Sequence, residues 1–67
     1  MNAVQKSIVW VANDWVKARY ENPRPSDCIT AVDMVVKSVL FRATLEDMRI
    51  ATRELLRRYG YCFGPRS

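Results

Sequence analysis

The sequence predicts an all-α protein, a small three-helix bundle of up-down-up arrangement that forms a dimer. Apolar residues recur at helical spacing in three segments, and proline and glycine occur only after the first segment and after the third. The connectors are short, which favours antiparallel neighbouring helices. The 67 residues form one domain. We expect helices at about 3–20, 26–41 and 44–59, followed by a tail at 60–67.

The first helix is predicted from a segment without glycine or proline. Its core-facing stripe has four members: Val4, Ile8, Val11 and Trp15. The helix has to end near Glu21, because Pro23 and Pro25 fix an extended connector.

The second helix is predicted to begin at Ser26, a good N-cap residue that is followed by an acid, Asp27. Its expected stripe is Ile29, Val32, Val36, Val39 and Leu40. The valine content also suits a strand, but the apolar positions do not alternate and the segment is longer than an average strand.

The third helix is predicted from a capping box in which Thr44 and Asp47 bracket the first turn. Gly60 ends it. Its expected buried face is Leu45, Met48, Thr52, Leu55, Leu56 and Tyr59. This topology brings Cys28, Cys62, the proline connector and the tail to one end of the bundle, where Tyr61 and Phe63 are expected to fold back onto the helices.

A second set of apolar residues lies away from these stripes and predicts a contact with another protein chain. At about 100° per residue, Val9, Val16 and Tyr20 gather opposite the main stripe of the first helix, with Trp10 at one flank. The complete predicted interface is Val9, Trp10, Val16, Tyr20, Met34, Phe41 and Ile50. The partner is a second copy, a larger protein, or both. In the alternative interpretation, the first helix is sandwiched between the other two and both stripes are buried in a monomer.

Basic residues form a second candidate site at the end of the bundle that holds the tail. Its predicted members are Arg24, Arg53, Arg57, Arg58 and Arg66. Arginine interleaved with tyrosine suits nucleic acid or an acidic protein surface. The alternative is a solvated helix face, since Arg49 and Arg58 follow Glu46 and Glu54 at pairing distance.

Enzymatic chemistry is not predicted. The chain has no histidine, and its two cysteines, Cys28 and Cys62, have no metal-ligand spacing, so we expect no metal, no cofactor and no catalytic residue. The first turn of a helix could lower the pKa of Cys28, but no base accompanies it. A disulfide between the cysteines is geometrically open, although free thiols fit the cytoplasmic location that we expect.

The function expected from these features is a non-enzymatic protein-protein interaction module. Its small size and basic charge suggest an inhibitor or regulator of the kind carried by phages and mobile elements. A nucleic-acid-binding regulator is the alternative. No segment approaches the roughly 18 apolar residues of a membrane span, so no membrane partner is expected.

Overall fold

A computed structural model describes residues 1–38 and 42–61, in which three helices form a bundle. These are α1 (Ala3–Arg19), α2 (Pro25–Ser38) and α3 (Leu45–Arg58), and every pair of them is in contact. A bond from Gln5 to Asp47 joins the first turns of α1 and α3, and a bond from Tyr61 to Pro23 joins the other ends. The helices therefore run up, down and up. The predicted all-α three-helix bundle is confirmed, while the dimer stays a prediction.

Two capping boxes begin α1 and α3, and a side-chain contact joins them. Thr44 Oγ1 accepts from Asp47 N at 3.1 Å, and Asp47 Oδ2 accepts from Thr44 N at 3.1 Å, as the sequence predicts. Asn2 and Gln5 form the equivalent box on α1, which was not predicted from the sequence. Gln5 Nε2 then donates to Asp47 Oδ1 at 2.9 Å. This bond fixes the two helix starts beside each other.

The second helix begins one residue earlier than predicted, at Pro25. Proline suits the first helical position because that residue has no intrahelical partner for an N–H group. Asp27, in the first turn, accepts from Arg24 N at 2.9 Å. The cap is therefore supplied by Asp27, and Ser26 is not the N-cap that the sequence suggests.

The predicted stop at Gly60 is confirmed, and the chain then turns back toward the proline connector. Gly60 has a φ of +86°, in the left-handed region that favours glycine. Gly60 N donates to Arg57 O at 3.1 Å and Tyr61 N donates to Leu56 O at 3.0 Å, the two bonds of a Schellman motif. The Tyr61 hydroxyl donates to Pro23 O at 2.7 Å. Tyr61 thus packs on the bundle as expected.

The core is formed by one stripe on each helix. The buried residues are Gln5, Ile8, Val9, Ala12 and Val16 on α1, Cys28, Ala31, Val32, Val35 and Val36 on α2, and Ala51, Leu55 and Leu56 on α3. Each helix contributes one fully buried alanine near its middle: Ala12, Ala31 and Ala51. Small side chains at these positions let the helices approach closely.

The second stripe of α1 is not an exposed surface, which corrects the central prediction of the sequence. Val9 is 2% exposed and Val16 is fully buried, and the half-buried Tyr20 packs against the core. The five buried residues of α1 lie within an arc of about 100°. The two predicted stripes are therefore the flanks of one broad face, and Ala12, between them, is its centre. The sandwich alternative is correct for the burial of Val9 and Val16, whereas Val4 and Val11 of the main stripe are not buried as it requires.

The expected core residues at the outer edges of the stripes are more exposed than predicted. Val4 and Val11 are each 40% exposed, and Trp15 is half-buried. The Trp15 ring packs under the Arg19 guanidinium, 4.2 Å from the ring centroid. Ile29 and Leu45 were also wrongly assigned to the core. The predicted positions Val39, Leu40, Phe41, Cys62, Phe63 and Arg66 lie outside the described residues.

Candidate protein-binding groove

An open apolar groove of about 460 Å³ lies between α2 and α3, and we call it the α2/α3 groove. Its lining residues are Ile29, Leu45, Met48, Arg49, Thr52, Arg53 and Leu56. None of them belongs to α1. The helix α1 packs on the other side of the α2 and α3 pair, so the groove faces away from α1. Ile29 is 50% exposed and Leu45 is 71% exposed. Two large aliphatic side chains are thus left in solvent beside a concave surface.

The helix registers explain why these two side chains are outside the core. Ile29 follows the buried Cys28 and lies about 100° from it around α2, at the edge nearest α3. Leu45 is the first residue of α3, directly after the N-cap Thr44. Leu56, by contrast, is buried and forms part of the groove floor.

Arg49 and Arg53 lie along one rim of the groove and make no hydrogen bond or salt bridge with a described residue. They are four residues apart on α3 and therefore point to the same side. Glu46 borders a small neighbouring hollow with both arginines and Ile50, without forming an ion pair with either. The rim consequently carries two positive charges whose hydrogen-bonding capacity is open to a ligand.

The other two acids of α3 are engaged within the chain, Asp47 with α1 and Glu54 with arginines of α3 itself. The Asp47 carboxylate accepts from Gln5 and from the Thr44 backbone, and these bonds hold its pKa below its ordinary value. The hydrogen bond from Arg57, followed by the nearby Arg58, likewise lowers the pKa of Glu54. Asp47 and Glu54 are therefore engaged within the chain, whereas Glu46 lies on the same flank as Arg49 and Arg53 without an ion pair to either.

A second hollow, of about 530 Å³, lies between α1 and α3 and contains Trp10, so we call it the Trp10 hollow. Its lining residues are Met1, Lys6, Val9, Trp10, Asn13, Asp14, Lys17 and Arg58. Trp10 is 73% exposed, as the predicted interface requires. The Asn13 amide oxygen accepts from the Tyr59 hydroxyl at 2.7 Å. Apart from the indole, this hollow is lined mainly by polar and charged groups.

The remaining members of the predicted interface do not form one surface with Trp10. Tyr20 contacts Trp15 with the two rings tilted by 56° and their centroids 6.1 Å apart. Met34 is 43% exposed on α2, and Ile50 is half-buried in the hollow that it shares with Glu46. Since Val9 and Val16 are core residues, the predicted interface is divided into separate positions.

The predicted basic site is largely paired within the chain. Arg57 and Arg58 both contact Glu54, at 2.9 and 3.4 Å, and Arg24 lies 3.9 Å from Asp27. The hydroxyls of Tyr59 and Tyr61 are bonded to the chain itself. These contacts favour the alternative of a solvated, paired helix face. Arg53 belongs to the rim of the α2/α3 groove.

Cys28 lies in the core, and the acid Asp33 of the same helix lies in an ion pair. Burial, and secondarily the Asp27 carboxylate, raises the pKa of the Cys28 thiol, which is the opposite direction to the lowering that a first helical turn could give. Asp33 pairs with Lys37 at 3.1 Å on an accessible face. Within residues 1–38 and 42–61, no group of three or more cysteine, aspartate or glutamate side chains could hold a metal ion.

Within the same ranges, no helix combines the length and apolarity needed to cross a membrane. Comparison of the chain with protein-family models, curated proteins and solved structures gives no significant match. The function is therefore inferred from the surfaces of the molecule itself, and the α2/α3 groove is a shallow surface that brings two exposed aliphatic side chains together.

Proposed function

We propose that this chain is a non-enzymatic protein-binding module that receives an apolar segment of another protein in the α2/α3 groove. The observation that carries the proposal is the exposure of Ile29 and Leu45 beside a concave surface with Leu56 in its floor. Apolar side chains that line a concavity, with polar groups at its rim, are typical of binding sites. No catalytic arrangement of described residues competes with this proposal.

The energetics favour a ligand that covers these side chains. Complete burial of one isoleucine or leucine side chain is worth about 1.5 to 3 kcal/mol. The fold leaves a large part of that free energy unused at Ile29 and Leu45, because both remain accessible. A small domain has little stability in reserve. A partner that buries both residues would therefore also stabilise the fold.

The proposed function, binding of another protein, is the one that the sequence predicts. The proposed binding site differs, because it lies in the α2/α3 groove and not on α1. The sequence places the contact on the second stripe of α1, whereas Val9 and Val16 are buried in the structure. Association of two copies through other residues stays a prediction.

Selection from a displayed library of random peptides tests the proposal. The full chain should enrich peptides that bind it and that lose binding to an Ile29→Glu variant. Met34→Glu is the matched control, since Met34 is a comparably exposed apolar residue of the same helix outside the groove. Circular dichroism should show that both variants remain helical.

The proposal is contradicted if no peptide is enriched, or if the enriched peptides bind the Ile29→Glu variant as well as the original chain. Loss of binding in the Met34→Glu variant alone would move the site to the other edge of α2. That result would restore one residue of the interface predicted from the sequence.

A second candidate function is binding of single-stranded nucleic acid at the Trp10 hollow. The exposed indole lies with Lys6, Lys17 and Arg58. Asp14 is the acid in this lining, and Arg58 is also paired with Glu54. An aromatic ring beside cations suits stacking of a base next to bound phosphates. Titration with a thymidine oligonucleotide should then show binding that weakens steeply with salt and is lost in Trp10→Ala. Equal binding by that variant would reject this candidate.

A further inference from the structure

We infer that the ligand of the α2/α3 groove is an acidic amphipathic helix of another protein, an inference that rests on the proposed function and specifies its partner. The groove supplies two separate requirements for such a ligand. Its floor and one edge are apolar, and its rim carries Arg49 and Arg53. The ligand must therefore carry an apolar face with carboxylates beside it.

The distribution of charge on α3 argues for the carboxylates. Asp47 and Glu54 are held by hydrogen bonds within the chain, so neither neutralises the rim. Glu46 lies beside both rim arginines but forms no ion pair with either, so one carboxylate stands against two guanidinium groups. The guanidinium groups of Arg49 and Arg53 make no such contact with a described residue. Arginine binds a carboxylate through two parallel N–H bonds, and the two side chains are one helical turn apart. Acids one turn apart on a docked helix would match that spacing.

The shape of the groove argues for a helix. From Leu45 to Leu56 the groove follows α3 for about 16 Å, or three turns. Apolar anchors at positions i, i+3 or i+4, and i+7 of a helix span about 10 Å, which fits within that length. On its opposite side the α2 and α3 pair already receives α1, whose buried residues follow the same spacing. A docked helix would repeat that packing on the open side.

A second copy of the chain is a poorer ligand on the grounds of charge. The chain carries a net charge of +4, so another copy would bring the same basic excess to a basic rim. A nucleic acid would satisfy the arginines but would leave the apolar edge uncovered. A helix with carboxylates beside its apolar face satisfies both parts of the groove.

Two synthetic helical peptides of about 16 residues test the inference. Both carry leucines at i, i+4 and i+7, and the flanking positions are glutamate in one peptide and lysine in the other. By fluorescence anisotropy at low salt, the full chain should bind the glutamate peptide about tenfold more tightly than the lysine peptide, and added salt should narrow the difference. The double variant R49E/R53E should reverse the preference, whereas Ile29→Glu should weaken binding of both.

Equal binding of both peptides, with loss in Ile29→Glu, would reject an acidic ligand and leave the proposed function intact. Binding of neither peptide by the full chain would overturn the inference, while the peptide library judges the proposed function independently.

Tighter binding of the glutamate peptide by a Phe63→Ser variant would show that the chain's own tail competes for the groove, and would overturn the assignment to another protein. If an oligonucleotide binds the chain and the glutamate peptide does not displace it, the R49E/R53E variant decides the outcome. Reversal of the peptide preference in that variant supports the inference, and absence of reversal overturns it.

Discussion

The core-facing side of α1 and the α2/α3 groove carry similar aliphatic residues, yet the first is buried by the fold and the second is open. Val9 and Val16 lie inside the bundle, whereas Ile29 and Leu45 are in solvent. The sequence predicts the reverse for all four residues. The comparison teaches that the rotation of each helix about its own axis decides which apolar residues form a core and which form a binding surface.

The largest expected effect comes from a pair of valines on α1. Val9→Glu should unfold the domain, because an unpaired buried carboxylate costs about 3 to 5 kcal/mol, which is comparable with the whole stability of a chain this small. Val11→Glu is the matched control and should leave most of the stability intact, since Val11 is 40% exposed. Thermal unfolding followed by circular dichroism measures both. A folded Val9→Glu variant beside an unfolded Val11→Glu variant would restore the orientation predicted from the sequence.

A pair of leucines on α3 gives the next largest effect. Leu55 is fully buried, so Leu55→Ala should lose about 2 to 5 kcal/mol of the free energy of unfolding. Leu45→Ala should change it by no more than about 0.5 kcal/mol, because Leu45 is largely exposed. Urea denaturation separates the two. Similar losses in both variants would mean that Leu45 is a core residue and that the groove is narrower than described.

The close approach of the helices is tested by enlarging an alanine. Ala12→Leu should destabilise the bundle by about 1 to 3 kcal/mol, because Ala12 is fully buried at the centre of the α1 face. Ala18→Leu is the control on the same helix, at an exposed position. If the Ala12 variant were as stable as the control, α1 would not be packed closely at its middle.

A smaller effect is expected from the carboxylate that joins the starts of α1 and α3. Because the folded pKa of Asp47 lies below its unfolded value, its contribution is complete above about pH 5 and is lost as the pH falls through the folded pKa. Asp47→Asn should therefore narrow the difference in melting temperature between neutral and acidic pH. An unchanged difference in this variant would show that the Gln5 and Thr44 bonds do not stabilise the folded state.

Much of the fold could be predicted because it depends on local signals. The capping box of Thr44 and Asp47 and the stop at Gly60 are readable from the sequence, as are the prolines that end α1. Helix rotation was not predicted, because the centres of the buried faces are small or polar residues. Ala12 and Gln5 on α1 carry little apolar weight, yet both lie in the core.

The candidate site was missed for the same reason. Ile29 and Leu45 have the right spacing for a core stripe and could not be told from core residues without the neighbouring helices. A signal was nevertheless present on α3, where Leu45, Arg49 and Leu56 recur on one flank at intervals of four and seven residues. Arginine in such a row marks the edge of a buried face, and that edge is where the groove opens.

The most direct test of the docking site is a methyl-resolved NMR titration of the full chain with a peptide enriched from the library. We expect the methyl signals of Ile29, Leu45 and Met48 to shift with a common saturation curve, while the indole N–H signal of Trp10 stays in place. A shifting Trp10 signal with unmoved groove methyls would contradict the assignment and place the binding surface between α1 and α3.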